Sequence, residues 1–531
     1  MSAVSYPVPT TSIAAQASAH AFARALPWVV VALVLGAGIS VIDALPVGVM
    51  WDDGMYVVLA KSLATGHGYR WINLPAAPPA THFPPGYPAF LALLWWLAPS
   101  ISGKVVLFKL ANACFLAGIA LLLLRFLRER FQLGSLAAAV FALLSVLSIP
   151  MLSLSVVVMS EPCFLMLLLV SLLLAERIAC DADVAARRLV WFGLLLGVAT
   201  LVRTQGIALI AAVSITLLMR RRVRAAALSS AVALLVIAPW LLWSSAQSGI
   251  VPPAMRGSYD TYGSWLASGV RAEGLSLFGR TALHTSAEIG AMFASFTAPG
   301  MPGWMRMAAL AMLVALAVVG ARVLWRGAPV TALFLLLYAA LTIFWPFPPA
   351  RFVWGVWPLV LLVPVLGARE ISGWHPRETA PRVLRGAGLA AAALLIMGHA
   401  KYCIRGYWGE WWASIPRANA LQLRPLVRWA SRHTSPGEVL GVESESAVYL
   451  YAGRFAVPIQ TFTARQFLER RTAAENAQVL RSILSRYSVT AVAVSGPITR
   501  DAARELATAR PPELVVRDTF PGGIVLAPAT R

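Results

Sequence analysis

The chain has 531 residues, of which 59% are hydrophobic and 13% are charged, whereas a soluble domain has roughly 45 to 50% apolar and about 25% charged residues. This composition excludes a soluble globular protein and favours one that spans a membrane. The formal charge of +21 comes from 44 Lys and Arg against 23 Asp and Glu. Because the arginines cluster between apolar runs, as in positive-inside loops, they indicate a lipid bilayer and no nucleic acid as partner.

Apolar runs recur along the chain, and about 20 helical residues cross the ~30 Å hydrocarbon layer. Eleven runs are predicted to be spans, near 25–47, 104–124, 134–150, 157–175, 189–203, 206–219, 225–243, 304–321, 329–346, 352–367 and 386–400. The apolar segment 84–99 is too short to cross as a helix, so we predict a short helix that returns to the surface. The predicted fold class is an all-α polytopic membrane bundle with 11 to 13 transmembrane helices.

The arginine clusters predict the orientation of these spans. Basic residues follow every second run, at 125–130, 187–188, 220–224, 322–326 and 377–385, and such loops are cytoplasmic. The tail 1–24 is then cytoplasmic as well. The first outer loop, 44–103, a second outer loop, 244–303, and everything beyond residue 400 are predicted to lie outside.

The composition changes after the last apolar run. Charged residues return, and strand-like runs at 438–442, 489–494, 514–517 and 524–527 alternate with helical patterns, including one amphipathic helix over 463–487. This alternation predicts a small α/β domain over 401–531 on the periplasmic side. The domain contains no GxGxxG and no GxxxxGK[ST] loop, so we interpret it as accessory.

Two adjacent carboxylates, Asp52 and Asp53, stand at the start of the first outer loop. Three interpretations are open: a partner for the positive end of the following helix, a divalent-cation site, or a catalytic base whose basicity rises beside a low-dielectric layer. No cofactor beyond such a cation is indicated. The four cysteines form no CxxC pair, which argues against a zinc site or a disulfide framework.

Further charged residues fall at the outer ends of later runs, namely Glu161, Arg203 and Arg351. Charges at such positions are costly unless they are paired, functional or snorkelling to the interface. Taken together, acids and arginines on one face indicate a site for an anionic leaving group, because Arg binds phosphate in a bidentate manner.

The remaining candidates are polar and aromatic residues of the two outer loops. His82 precedes two prolines and is either a structural hydrogen-bonding group or a ligand contact. Tyr56 and Tyr87 fit an interfacial aromatic belt or a sugar-stacking wall. Arg256 lies in the second outer loop.

Five stretches resemble the integral-membrane glycosyltransferases of the GT-C class, and among them the protein mannosyltransferase, aminoarabinose transferase and RgtA/B/C/D-like group. They are Asp52-Asp53-Gly-Met-Tyr56, His82-Phe-Pro84-Pro85-Gly-Tyr87-Pro88, Ser160-Glu161-Pro162, Arg203-Thr-Gln-Gly206, and Arg351-Phe with the later Pro358. Their order and spacing over residues 25–370 carry the likeness. The tail beyond residue 400 matches only as a variable periplasmic appendage.

The resemblance implies a fold and a reaction. A GT-C bundle with a surface-lying first loop transfers a sugar from a polyprenyl-phosphate donor to an envelope lipid, glycan or protein outside a bacterial inner membrane. Asp52 resembles the catalytic acid of the pair, the expected base, and Asp53 stands where many members have Glu. His82, Arg203 and Arg351 resemble contacts to the donor phosphate or sugar.

A transporter or lipid flippase is the alternative that many hydrophobic spans alone would allow. Transporters commonly show internal repeats and midplane charges or broken helices. The sequence shows no internal repeat, and its charges gather at one surface. These features favour the enzyme.

Overall fold

The computed structural model describes residues 13–181, 183–374 and 379–529. The membrane portion is built from helices, in chain order α1 Ile13–Ser40, α2 Asp52–Ala64, α3 Gly86–Leu94, α4 Ile101–Phe131, α5 Ser135–Val146, α6 Ile149–Ser155, α7 Glu161–Cys180, α8 Ala186–Val202, α9 Gly206–Met219, α10 Val223–Ala246, α11 Arg256–Tyr259, α12 Tyr262–Glu273, α13 Ser276–Thr297, α14 Gly303–Gly327, α15 Pro329–Phe344, α16 Ala350–Trp354, α17 Trp357–Ser372 and α18 Thr379–Trp408. The first half of the predicted tail, residues 1–12, lies outside the described residues.

Each of the eleven predicted runs coincides with a helix, namely α1, α4, α5 with α6, α7 to α10, α14, α15, α17 and α18. Within the described ranges, five helices are long and apolar enough to cross a bilayer, and α5 with α6, bent by 58°, would make a sixth. Of the other predicted spans, α8, α9, α15 and α17 are helices of 14 to 17 residues, and α1 contributes the apolar stretch Arg24–Ser40. The all-α polytopic fold class is confirmed, while the figure of 11 to 13 spans stays a prediction.

The two outer loops contain most of the short helices. The first loop forms α2 and α3, and α3 is the short helix predicted within 84–99. The second loop, predicted only as a connection, folds into α11, α12 and the 22-residue α13. Helices α12 and α13 pack against the C-terminal domain, and α13 also packs against α14, α15 and α18 of the bundle.

The C-terminal region contains α19 Trp411–His433, β1 Val439–Val442, α20 Glu445–Ala447, β2 Phe455–Pro458, α21 Ala464–Leu468, α22 Ala473–Arg486, β3 Val489–Val494, α23 Pro497–Thr508, β4 Leu514–Phe520 and β5 Gly523–Pro528. The strands form one sheet in the order β2-β1-β3-β5-β4. Strand β1 pairs in parallel with β2 and β3, and β5 pairs antiparallel with β3 and β4. The α/β prediction is confirmed.

Two details of this domain differ from the sequence prediction. The single helix predicted over 463–487 is two helices, because Thr472 and Glu475 form a capping box that begins α22 anew. Strand β2 was not predicted. It is a four-residue edge strand that ends in Pro458, and a proline is tolerated there because one side of an edge strand has no partner.

Candidate active site

Four charged residues lie at helix ends on one end of the bundle. Asp52 and Glu161 are the first residues of α2 and α7, where the positive end of the helix dipole favours an acid. Arg203 follows the last residue of α8 and has extended backbone angles, so its side chain leaves the helix. Arg351 belongs to the short α16. These positions are far apart in sequence, and the fold brings them together.

The four side chains form a continuous chain of ion pairs. Arg351 Nη1 lies 2.9 Å from Asp52 Oδ2, and Arg351 Nη2 lies 2.9 Å from Glu161 Oε1. Arg203 Nη1 lies 2.9 Å from the same Glu161 oxygen. We call Asp52, Glu161, Arg203 and Arg351 the charge network. Two acids and two bases give it a formal charge of zero.

Burial makes the charge network costly to break. The Glu161 side chain is fully buried, and those of Arg203, Asp52 and Arg351 are 9%, 17% and 21% exposed. Glu161 Oε1 joins both guanidinium groups, while its second oxygen, Oε2, is buried and has no hydrogen-bond partner among the described residues. Glu161 therefore holds together two arginines that would otherwise repel each other, since Coulomb terms strengthen away from water.

A layer of hydroxyl groups lies beside the charge network. Arg203 Nη1 donates to Ser160 Oγ at 3.0 Å, and that oxygen lies 3.1 Å from the Tyr56 hydroxyl. The Tyr56 ring packs edge-on against Tyr87 at 5.1 Å. Tyr87 itself is buried and donates to Asn112 at 3.3 Å. Tyr56 thus contacts the network through Ser160, and Tyr87 supports Tyr56 from behind.

Asp53 lies next to Asp52 but points elsewhere. Its two carboxylate oxygens accept hydrogen bonds from the backbone N–H groups of Gly48 and Met50, both at 3.0 Å. Burial raises the pKa of the Asp53 carboxyl to about 6, although these N–H groups and that of Gly54 pull it down. Asp53 therefore holds the backbone of the loop that precedes α2. Among the three interpretations of the acidic pair, this geometry is closest to the one in which an acid supports the start of the helix.

His82 joins the two outer loops. Its Nδ1 donates to the backbone carbonyl oxygen of Asp260 at 2.7 Å, and its ring packs against Tyr262 at 4.4 Å. Burial lowers the pKa of His82 and so favours the neutral ring. Because Nδ1 carries the proton that it donates to Asp260, Nε2 of the neutral ring is unprotonated. Asp260 in turn accepts from Gly249 and Ser248, both at 3.1 Å.

Two further predictions have a definite structural outcome. Arg256 is exposed, and no contact between it and the charge network is found among the described residues. The divalent-cation interpretation has only the acidic pair to rest on, because no group of three His, Cys, Asp or Glu side chains converges within residues 13–181, 183–374 and 379–529. Since both Asp53 oxygens accept hydrogen bonds from backbone N–H groups, the pair does not fit a shared cation.

Several residues around the site were not singled out as site residues by the sequence. Ser160 stands in the stretch Ser160-Glu161-Pro162, so its polarity beside Glu161 was an available signal. Tyr262 lies in the second outer loop, where only Arg256 was predicted to be a site residue. Glu445 gave none. It comes from the C-terminal domain, is buried, and accepts hydrogen bonds from Trp51 at 2.9 Å and from Tyr259.

The comparison with known proteins bears on the fold. The chain matches no protein-family model and no curated protein sequence. Among solved structures it is similar to ArnT from Cupriavidus metallidurans, crystallised with undecaprenyl phosphate bound. The two chains are 15% identical, the match covers 94% of this chain and 97% of that one, and the TM-score is 0.51. The polytopic bundle with its C-terminal α/β domain therefore has a GT-C-type fold.

Proposed function

We propose that this protein is an integral-membrane glycosyltransferase that moves a sugar from a polyprenyl-phosphate donor to a hydroxyl group of an envelope lipid, glycan or protein. The observation that carries the proposal is the charge network, a buried set of two acids and two arginines at helix ends. Its location at one end of the apolar bundle suits a donor with an apolar tail and a charged head.

The two arginines suit the phosphate of such a donor. Arg203 uses only Nη1 in its described polar contacts with Glu161 and Ser160, so the N–H groups of Nε and Nη2 remain for a ligand. Arg351 has one further Nη1 N–H beyond its bond to Asp52. Guanidinium groups in a dry site stabilise the charge that develops on the leaving phosphate oxygen. The similarity to ArnT, which was crystallised with undecaprenyl phosphate, supports a lipid phosphate as the leaving group.

Asp52 is proposed as the general base. Its Oδ2 is held by Arg351, which leaves Oδ1 to accept the proton of the acceptor hydroxyl. The oxygen of the acceptor hydroxyl then attacks the anomeric carbon. The bond from this carbon to the phosphate oxygen breaks, and polyprenyl phosphate leaves beside Arg203 and Arg351. One displacement of this kind inverts the anomeric configuration.

The membrane location and sidedness belong to the same proposal. The arginine distribution supports a multi-pass protein of a bacterial inner membrane with the charge network on the outer side. No nucleotide-binding motif occurs in the sequence, which suits a donor that arrives on a lipid.

The test is mass spectrometry of lipid-linked and envelope glycans from cells that lack the protein. We expect one sugar to be missing from an envelope component and its lipid-linked form to accumulate. Wild-type protein should restore the sugar, and Asp52→Asn should lower it about 100-fold or more at equal protein level, because general bases contribute about 10² to 10⁴ in rate.

A matched control is Asp181→Asn, which changes an exposed acid at the far end of α7, paired with Arg188 at 3.7 Å. It should restore the sugar fully. Full restoration by Asp52→Asn would remove Asp52 as the base, and unchanged glycans in cells lacking the protein would contradict the proposed function itself.

A further inference from the structure

The C-terminal domain contacts nearly the whole segment that leads into Asp52. Six of its side chains bond residues of the segment 43–51 directly: Arg417 to Asp43 at 2.9 Å, Arg424 to the Ala44 carbonyl at 3.2 Å, Tyr451 to the Val47 N–H at 3.1 Å, Ser444 to the Gly48 carbonyl at 2.9 Å, Asn419 to the Val49 carbonyl at 2.7 Å and Glu445 to the Trp51 indole at 2.9 Å. These hydrogen bonds and this ion pair fix the conformation of the segment 43–51 against the C-terminal domain.

The segment ends in a strained turn immediately before Asp52. Trp51 has φ 63° and ψ −65°, and the Asp52 N–H donates to the Met50 carbonyl at 2.9 Å. These are the features of a γ-turn of the rare, strained type. A non-glycine residue adopts such angles only where its surroundings impose them, and such strain gathers at functional sites.

Glu445 supplies much of what holds the turn. Its Oε1 accepts from the indole N–H of Trp51 and from the hydroxyl of Tyr259, and the carboxyl group is buried. The Trp51 ring also packs edge-on against Tyr259 at 6.2 Å and against His82 at 6.3 Å. Trp51 is thus fixed between the first outer loop, the second outer loop and the C-terminal domain.

The packing around Glu445 is close enough to set the start of α2. A Cβ atom added at Gly54 would lie 2.1 Å from Ser446 Oγ, and one added at Gly48 would lie 2.7 Å from the Ala447 Cβ. Gly48 also has φ +90°, which side chains rarely adopt. Helix α20 therefore rests directly on the backbone that carries Asp52.

We propose that the C-terminal domain positions Asp52 for catalysis, with Glu445 as the positioning residue that acts through the Trp51 turn. The inference rests on the proposed function of Asp52 as base, and it revises the expectation that the domain is accessory. Glu445 touches neither Asp52 nor the charge network in the described contacts, so its effect is exerted through the backbone.

The test combines a structural and a functional measurement on the full chain. In hydrogen exchange, Glu445→Ala and Trp51→Phe should each speed exchange of the peptide 48–55 about tenfold or more, because each removes a hydrogen bond to a charged group. In the glycan assay both variants should lower the product about tenfold or more. Affinity for undecaprenyl phosphate should stay within about twofold, because Arg203 and Arg351 remain held by Glu161.

Two controls separate positioning from general damage. Glu445→Gln keeps the shape of the side chain and an oxygen that accepts from Trp51 and Tyr259. It should restore both exchange and product. Asp501→Ala breaks an exposed pair with Arg504 in the same domain and should change neither.

The outcomes distinguish a failure of the positioning role of Glu445 from a failure of the proposed function. Unchanged exchange of peptide 48–55 in Glu445→Ala and Trp51→Phe would overturn the positioning role, and so would faster exchange with undiminished product. If wild-type protein forms no glycan product, the proposed function fails, while the exchange data still decide whether Glu445 holds the turn.

Discussion

Glu161 and Glu129 each hold two arginines, but in different surroundings. Glu161 begins α7 and binds Arg203 and Arg351 with all side chains at most 21% exposed. Glu129 binds Arg125 and Arg177, with side chains 34% to 55% exposed. Arg177 lies in the last turn of α7, 16 residues from Glu161, or about 24 Å along the helix. The same residue types thus form the buried charge network at one end of α7 and an exposed cluster at the other.

Burial, and not residue type, therefore distinguishes the buried triad of Glu161, Arg203 and Arg351 from the exposed triad of Glu129, Arg125 and Arg177. An exposed ion pair is worth about 0 to 1 kcal/mol, because water screens it and two long side chains lose freedom. A buried network is costly to assemble and costly to break. A buried network at helix ends is therefore weak evidence for a purely stabilising role.

The largest expected effect comes from removing one charge from each triad. Glu161→Gln leaves two buried arginines without their shared counter-ion and should lower the free energy of unfolding by about 3 to 5 kcal/mol. Glu129→Gln should lower it by about 1 kcal/mol or less. Denaturant unfolding of both variants in the same detergent measures the difference, and equal losses would contradict the contrast between the two ends.

A smaller effect is expected when the shape of one arginine is changed at constant charge. Arg203→Lys keeps the charge but loses the planar fork, so affinity for undecaprenyl phosphate should weaken about tenfold. Arg177→Lys makes the same change in the exposed triad and should leave the affinity unaltered. Titration of both purified variants with undecaprenyl phosphate distinguishes them. Wild-type affinity in Arg203→Lys would exclude this arginine from the phosphate contact.

The smallest expected effect concerns pH. Burial lowers the pKa of His82 below its unfolded value, while Asp52 and Asp260 pull the pKa upward. The neutral ring therefore contributes stability that is fully present above about pH 6.5 and is lost as pH falls through the folded pKa. His82→Asn keeps a donor for the Asp260 carbonyl but does not titrate.

The measurement for His82 is the free energy of unfolding of wild type and His82→Asn between pH 7.5 and 5. The advantage of the wild type should shrink as the pH falls. An advantage that is constant, or that grows on acidification, would show that His82 is not held as the neutral ring in the folded protein.

Much of the fold could be predicted because its signals are local. Apolar runs predicted the helices of the bundle, and the strand-like run at 489–494 is strand β3 with the same bounds. The GT-C resemblance also drew attention to the residues of the charge network. Their position at run ends, where charge is expensive, was the physical signal.

The rest depends on contacts that no local pattern encodes. The Asp52-Asp53 dipeptide is symmetrical in sequence, and only the folded loop turns Asp53 toward Gly48 and Met50. Glu445 lies in a short stretch without helical or strand periodicity, and its role depends on docking against Trp51, almost 400 residues away. The role proposed for the C-terminal domain therefore depends on contacts between distant parts of the chain, which the sequence alone does not predict.

The most direct test of the central claim is an electron cryomicroscopy structure of the protein with undecaprenyl phosphate. We expect the phosphate oxygens within about 3 Å of nitrogen atoms of Arg203 and Arg351, with the Asp52 carboxylate beside the bound phosphate. A phosphate bound elsewhere, with the charge network still closed by Glu161, would contradict the proposed site.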